Sequence, residues 1–423
     1  MKSNKYVIIV DPISSSSIFS DIIKDKYGYE TIAVNTITNL PDSVKSTFRP
    51  ESFSNCFLFD GDIGKLIIDI EDYVGGRPDF ILCGSEPGVF LFDKLSVHWD
   101  IMPNDITKSQ QRRNKFLMQE QLRNDGLPCI NQIKSSSLDE ILEWSQNQDC
   151  NRFVVKPMLS FGTDSVTFCN DVQEITESFN NLIGRIDYSG LKNDEVLVQC
   201  LIEGDEFVVD AVSSNGDHYV VNMFKYSKYT LDNRPIYRSM ETVDPELYPS
   251  IIDYVCRVLT SLGIRHGASH SEVILTNDGP VLVETGARMH GGLGPLLVEK
   301  CNSQSLIGLS IDSRLHPEKL RFLPNPRLEQ YAVEYFLSSP VEGILISNDI
   351  ESSCRKIESY AFTTCNLERG SKIEKTIDLV SSYGRVVLIN KCQKRLMSDL
   401  LELKNLEQEG MLIRLDKYSY INN

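Results

Sequence analysis

What this chain lacks narrows its class before any motif is read. No apolar run approaches the roughly twenty residues that cross a bilayer. The N-terminal run YVIIV is about five residues long, too short for the core of an export signal. Eleven cysteines stand singly, with no Cys-x-x-Cys and no paired spacing, so neither a zinc site nor a disulfide framework is expected. Single thiols without an export signal fit a reducing compartment, and the expectation is a cytoplasmic protein. Basic charge is also in deficit. Lys and Arg number 43 against 59 Asp and Glu, and a net charge of −16 leaves no surplus to displace counterions from a phosphate backbone. Nucleic-acid and membrane partners are therefore not expected, and an anionic substrate would have to meet locally placed cations. No Gly-x-Gly-x-x-Gly follows the first apolar strand, so a dinucleotide site is not indicated.

What is present is an alternation of periods. At 423 residues the chain exceeds one ordinary domain, and about two to four are expected. KYVIIV reads as a buried strand, IFSDIIKDKYG as an amphipathic helix stopped by glycine, and TIAVNT as a second strand. DFILC, the turn GSEPG and a further helix continue this βαβ rhythm to about residue 100, which predicts a small doubly wound parallel sheet and an α/β fold. Residues 105–127 carry a helical pattern; RFVVKPM, VTFC and EVLVQCLI read as strands with a helix near 171–185 between the last two. EFVVDAVSS and HYVVNMFKYS flank Asn215-Gly216, a strong hairpin signal. A helix over 246–263 precedes a second hairpin, and beyond about 325 the pattern is mixed, ending in a strand and a long helix.

That second hairpin, HSEVILTNDGPVLVETGARMHGG, holds Glu272 on one strand and Glu284 on the other. Cross-strand pairing sets such residues side by side. Two carboxylates so placed, with Arg288 just beyond, form an oxygen-ligand site for Mg²⁺ beside a fixed cation. Alone, the pair reads more readily as the outward face of an ordinary hairpin. Other pieces point further. Lys156 ends an apolar strand beside a loop with Gly162, where an ammonium and loop amides can meet phosphates. Lys115, on a helix, is a second candidate cation. In LVQCLIEGDEF, the extended run Gln199, Cys200, Leu201 and Ile202 can pair with the edge of adenine, and Glu206 can accept from ribose hydroxyls.

This ordered set resembles the ATP-grasp superfamily over about residues 75–300. GSEPGV, RNKFLMQEQLRNDGLP and VETGARMHGG look like the branch of L-amino-acid ligases (dipeptide synthetases) and related carboxylate–amine ligases. The resemblance implies an N-terminal α/β domain (1–104), a linking helical segment (105–130), a lid (131–198), a larger antiparallel catalytic subdomain (199–325) and a C-terminal α+β extension (326–423). It implies ATP with one or two Mg²⁺ (or Mn²⁺) ions. Lys115 and Lys156 would match phosphate-contacting lysines, Glu206 the ribose acid, Glu272 and Glu284 the metal acids, and Arg288 the arginine near the substrate carboxylate.

The implied reaction is acyl-phosphate formation followed by attack of an amine, joining two amino acids or an amino acid and a small acid. The implied partners are small molecules, with a homodimer allowed. Two departures stand out: Gly286 occupies the place where many members carry a metal-ligating asparagine, and the lid loop SFGTDS is poorer in glycine than usual. Further residues are open. Lys225, with Lys228, Arg234 and Arg238, could reach phosphate or substrate carboxylate, or form a solvated basic loop. Glu86 could bind a substrate ammonium or face a helix N-terminus. His270 reads as structural, while His290, Gly291 and Gly292 are candidates for substrate contact. The alternatives are a purine- or biotin-type ligase or carboxylase, and a nucleotide-binding protein without turnover; the two metal acids argue against the last.

Overall fold

The structure, a computed structural model, describes residues 5–36, 42–160, 164–187, 190–365, 367–379 and 381–416. Four parallel strands open the chain: Tyr6–Val10 (β1), Glu30–Asn35 (β2), Asn55–Leu58 (β3) and Phe80–Cys83 (β4), in the spatial order β3-β2-β1-β4. Val7, Ile8, Ile9 and Val10 are all fully buried, as a central parallel strand covered on both faces requires. The expected helix after β1 forms over Phe19–Tyr27 as one α turn running into a π turn, and Gly28 ends it in the left-handed region (φ 69°).

The helical pattern over 105–127 resolves into two pieces, a correction to the single helix expected. A short 3-10 turn spans Ile106–Lys108 and the helix proper spans Lys115–Asn124. Asn114 sets the start, because its side chain accepts from the backbone N–H groups of Phe116 and Leu117. Between the pieces, the fully buried Arg112 pairs with Asp93 (2.7 Å) and donates to the carbonyls of Asp105 and Leu262. That guanidinium ties the helix Val89–His98, the start of the 3-10 turn at Asp105 and the end of the helix Pro249–Ser261 together.

A smaller antiparallel sheet follows: Gln132–Ser135 (β5), Phe153–Lys156 (β6), Thr167–Cys169 (β7) and Val196–Cys200 (β8), ordered β5-β8-β6-β7. Its helices Leu138–Gln146 and Val172–Leu182 bury Ile141, Ile175 and Phe179 against Phe153, Val155 and Val198. A disulfide joins Cys150 to Cys200 across this sheet, which corrects the expectation of unpaired thiols throughout. The partners lie 50 residues apart in sequence, so no local spacing could announce them.

The largest sheet has eight strands. It is built from Asp205–Ser214 (β9), Asp217–Leu231 (β10), Arg234–Val243 (β11), Gly267–Thr276 (β12), Gly279–Gly286 (β13), Tyr331–Leu337 (β14), Tyr360–Thr364 (β16) and Gly384–Asn390 (β18), in the order β13-β12-β9-β10-β11-β14-β18-β16. Three strands from beyond residue 325 thus continue the same sheet. The remaining strands, Gly343–Asn348 (β15), Lys372–Ile373 (β17) and Ile413–Asp416 (β19), make a separate three-stranded sheet. Alternation along β9 sorts its faces. Phe207, Val209 and Ala211 pack on Tyr254, Val255 and Val258 of the helix Pro249–Ser261. Burying each large side chain there stabilises the fold by about 1.5–3 kcal/mol. The opposite face presents Glu206, Val208 and Asp210.

Residues 225–240, one reading of which was a basic loop, are instead the long arms of β10 and β11, paired from Met223↔Val243 to Leu231↔Arg234 with a bulge at Ser227/Lys228. The turn between them puts Asp232 and Asn233 in the left-handed region (φ 48° and 60°). The tip reaches the smaller sheet: the N–H of Phe168 donates to the Asn233 carbonyl (2.7 Å), and the Asn233 amide donates to Glu174 (2.7 Å). Among the described residues, no helix is long and apolar enough to cross a membrane.

Candidate active site

The β12–β13 hairpin pairs Glu272 directly with Glu284. The register of β12 on β9 then fixes what shares their face, since His270 lies opposite Asp210, Glu272 opposite Val208 and Ile274 opposite Glu206. One face of three adjacent strands therefore carries Glu206, Asp210, His270, Glu272 and Glu284. The smaller sheet closes over it and leaves a cavity of about 350 Å³. Val154, Phe168, Leu201 and Ile274 supply its apolar walls, and Lys115, Lys156, Glu206, Glu272 and Glu284 its charged groups. A flat apolar slot leading to paired acids and cations suits a base attached to a polyphosphate.

Lys156, at the end of β6, is buried, with 5% of its surface exposed. Burial, and then the charge of Lys115, pull its pKa down to about 8, against the opposing pull of Glu284, Glu272 and Glu206. Lys115 starts its helix 2.8 Å from Glu284 and donates to the Ser160 carbonyl. Burial disfavours the charged Glu284 carboxylate, but Lys115, Lys156 and Arg288 outweigh it and hold its pKa below the usual range. Glu284 thus stays an anionic oxygen donor, as a hard divalent cation requires.

At the other end, Gln199, Cys200, Leu201 and Ile202 line the cavity where β8 leaves the smaller sheet. The Gln199 amide donates to Gln132 (2.9 Å), and the N–H of Leu201 is taken by the Arg152 carbonyl. Glu206 is buried and held by Lys228 and by the Tyr237 hydroxyl (2.9 Å). Lys228 and Tyr237 both line the cavity; Lys225 instead pairs with Asp205 at 2.7 Å, one-third exposed. Gly162 falls outside the described residues.

Arg288 follows β13 and donates through Nε to Glu86 (2.9 Å) and through a terminal nitrogen to the Met289 carbonyl (3.0 Å). The second oxygen of Glu86 takes Arg113 at 3.0 Å. Arg113 opens the stretch RNKFLMQEQLRNDGLP, but it was not singled out from the sequence. The only signal was its position just before the helix that carries Lys115. His270 and His290 stack with ring centroids 4.2 Å apart, and both Nδ1 atoms lie 3.3 Å from fully buried Asp210. Burial alone would lower the His270 pKa, yet bonds to Asp210 and Glu272 raise it to about 9; the pKa of His290 is lowered by burial and by the charge of His270. This charge network braces Glu272 from behind. Gly292, in the left-handed region (φ 62°), donates its N–H to Ser14, and the His290 carbonyl accepts from Ser15. Gly291 lies between them, so the glycine turn is anchored on the segment that follows β1.

Comparison with known proteins agrees with this geometry. A family described as ATP-grasp domain matches residues 150–295. Dapdiamide A synthase of Enterobacter agglomerans is 31% identical over 386 residues, covering 86% of this chain and 90% of that protein. The L-amino acid ligase of Bacillus licheniformis superposes with a TM-score of 0.77 at 16% identity, covering 99% of this chain and 100% of that one. An N5-carboxyaminoimidazole synthetase of Staphylococcus aureus complexed with ADP gives 0.68 at 13%, covering 95% and 98%. These two show likeness of fold. Fold and site define an ATP-binding enzyme of the ATP-grasp type. The chain belongs to the ATP-grasp superfamily, in its carboxylate–amine ligase branch, and is a ligase that forms C–N bonds.

Proposed function

We propose that this ligase joins two amino acids, or an amino acid and a small carboxylic acid, through an acyl phosphate. The carrying observation is the directly opposed Glu272 and Glu284 sharing one cavity with Lys115 and Lys156, next to Arg288. ATP would lie with its base against Gln199 to Ile202 and its ribose toward Glu206, leaving the phosphates at the lysines. Glu272 and Glu284 are anionic oxygen donors on one face and fit Mg²⁺, which would neutralise charge on the transferred phosphoryl group.

The chemistry then follows from charge. A carboxylate is a poor electrophile. Its oxygen attacks the γ-phosphorus, the bond to ADP breaks, and an acyl phosphate forms while Lys156 and Lys115 offset the negative charge. An amine next attacks the acyl carbon. The C–N bond forms, the C–O bond to phosphate breaks, and a proton leaves the nitrogen. Arg288 stabilises the tetrahedral oxyanion. The smaller sheet excludes water that would hydrolyse the intermediate. His290, Gly291 and Gly292 flank the place where the amine enters.

The test offers purified protein Mg·ATP and amino acids singly and in pairs while phosphate release is followed. Release should require two substrates together and fall at least a hundredfold, on the order expected for loss of a metal acid, in Glu284→Ala. Measurable ATP binding without release for any pair would sink the reading, and bicarbonate-dependent release would replace it with a carboxylase.

A further inference from the structure

Gly286 is where this chain departs from the resemblance, and the structure shows what fills the space. The residue does not have a positive φ, so nothing in its backbone demands glycine. A Cβ added there would lie 2.5 Å from a Glu86 carboxylate oxygen and 3.3 Å from Nε of Arg288. Glu86 arrives from the other domain. It opens the short turn Glu86–Gly88 after β4, a turn pressed so closely on β1 that a Cβ at Gly88 would lie 2.8 Å from Cγ1 of Val10. Both its oxygens are engaged, one by Arg113 at 3.0 Å and the other by Arg288 at 2.9 Å, and the three side chains are 4–15% exposed.

We propose that Gly286 is kept empty so that Glu86 can reach across the domain boundary and position Arg288 for acyl transfer. The pair 86/286 acts as one unit. With both oxygens already bonded to arginines, Glu86 is a positioning residue, and Arg113 fixes the oxygen that Arg288 does not use. A charge-assisted bond at Nε leaves the far side of the Arg288 guanidinium directed by a fixed partner. Catalytic groups need to be held within a fraction of an ångström, and the holding contact here comes from the turn that follows β4. This role for Arg288 rests on the ligase reading above.

Because the atom met by a new Cβ is the end of a flexible side chain, Gly286→Ala should displace Glu86 without unfolding the protein. The experiment is a double-mutant cycle with Gly286→Ala, Glu86→Ala and both together, scored by kcat and by KM for ATP. Gly286→Ala and Glu86→Ala should each lower kcat on the order of tenfold to a hundredfold, as a misplaced catalytic group does. KM for ATP should stay within about twofold, and the double variant should be no worse than Glu86→Ala within about twofold. Multiplying effects, or wild-type kinetics in Gly286→Ala, would overturn the proposal. A readout without substrate separates it from the ligase reading. In protein labelled with ¹⁵N-arginine, the Arg288 Nε–H signal of a carboxylate-bound guanidinium should be present in wild type and lost in each single variant. If it persists in Gly286→Ala the proposal fails, whatever reaction the enzyme carries out.

Discussion

Lys156 shows how far a single residue is shaped by its surroundings. Its burial lowers the pKa to about 8, so the ammonium is retained at neutral pH and lost as pH rises through that value. Bound phosphates favour the charged form. ATP affinity should therefore be highest below pH 8 and fall between pH 8 and 10, where an ordinary surface lysine remains charged. Calorimetric titration of ATP across this range checks it. A dissociation constant that stays flat from pH 7 to 9.5 in wild type would refute the assignment, and Lys156→Met should bind weakly with no such slope. The facing of Glu272 and Glu284 was legible in the sequence because a short hairpin places them, and the position of Lys156 because it ends an apolar strand. Arg113 and Asp210 were not, because their importance comes from partners such as Glu86 and His290, 27 and 80 residues away.

Among elements, hairpins were the easiest to read. Asn215-Gly216 and Asn277-Asp278-Gly279 announce their turns, and alternation then predicts the shared face. The arms of β10 and β11 were harder, because lysines, tyrosines and a bulge interrupt the apolar alternation there. Their strand character comes from pairing with each other, since β9 accompanies β10 only to Lys225 and β14 accompanies β11 only at Ser239–Glu241. The segment 105–127 failed differently: Asn114 breaks one helical pattern into two by capping the second. The disulfide had no local signature at all. It predicts a thiol count. In denaturant, Ellman's reagent should find nine thiols, and eleven after reduction. Eleven before reduction would show that Cys150 and Cys200 are free.

Across the whole molecule, one sheet runs on past residue 325, where the sequence pattern becomes mixed. Strand β14 pairs with β11, β18 with β14 and β16 with β18, and Tyr335 and Leu337 meet Leu396, Leu400 and Leu403 of the helix Gln393–Gln408. A chain ended after residue 325 would leave β11 with an open edge, which recruits other strands. Size-exclusion chromatography should find that truncated protein aggregated. A soluble monomer with intact ATP binding would show the C-terminal segment to be an independent appendage.

The β10–β11 tip bears on timing. Asn233 holds β7 through its carbonyl and Glu174 through its amide, while Lys375 holds neighbouring Asp232 at 2.5 Å. Widening the cleft by moving the smaller sheet off this tip would break these bonds, so a two-residue turn outside the cavity is expected to affect how long products are retained. Asn233→Gly keeps the turn and deletes the amide contact. It should hasten ADP departure several-fold in stopped flow, consistent with opening as a slow step, while the single-turnover rate of bond formation stays unchanged. Equal departure rates would place the latch elsewhere. On the proposed acyl-phosphate route, such a clasp would act as a clock: it would have to outlast the intermediate and yield soon after the amide forms.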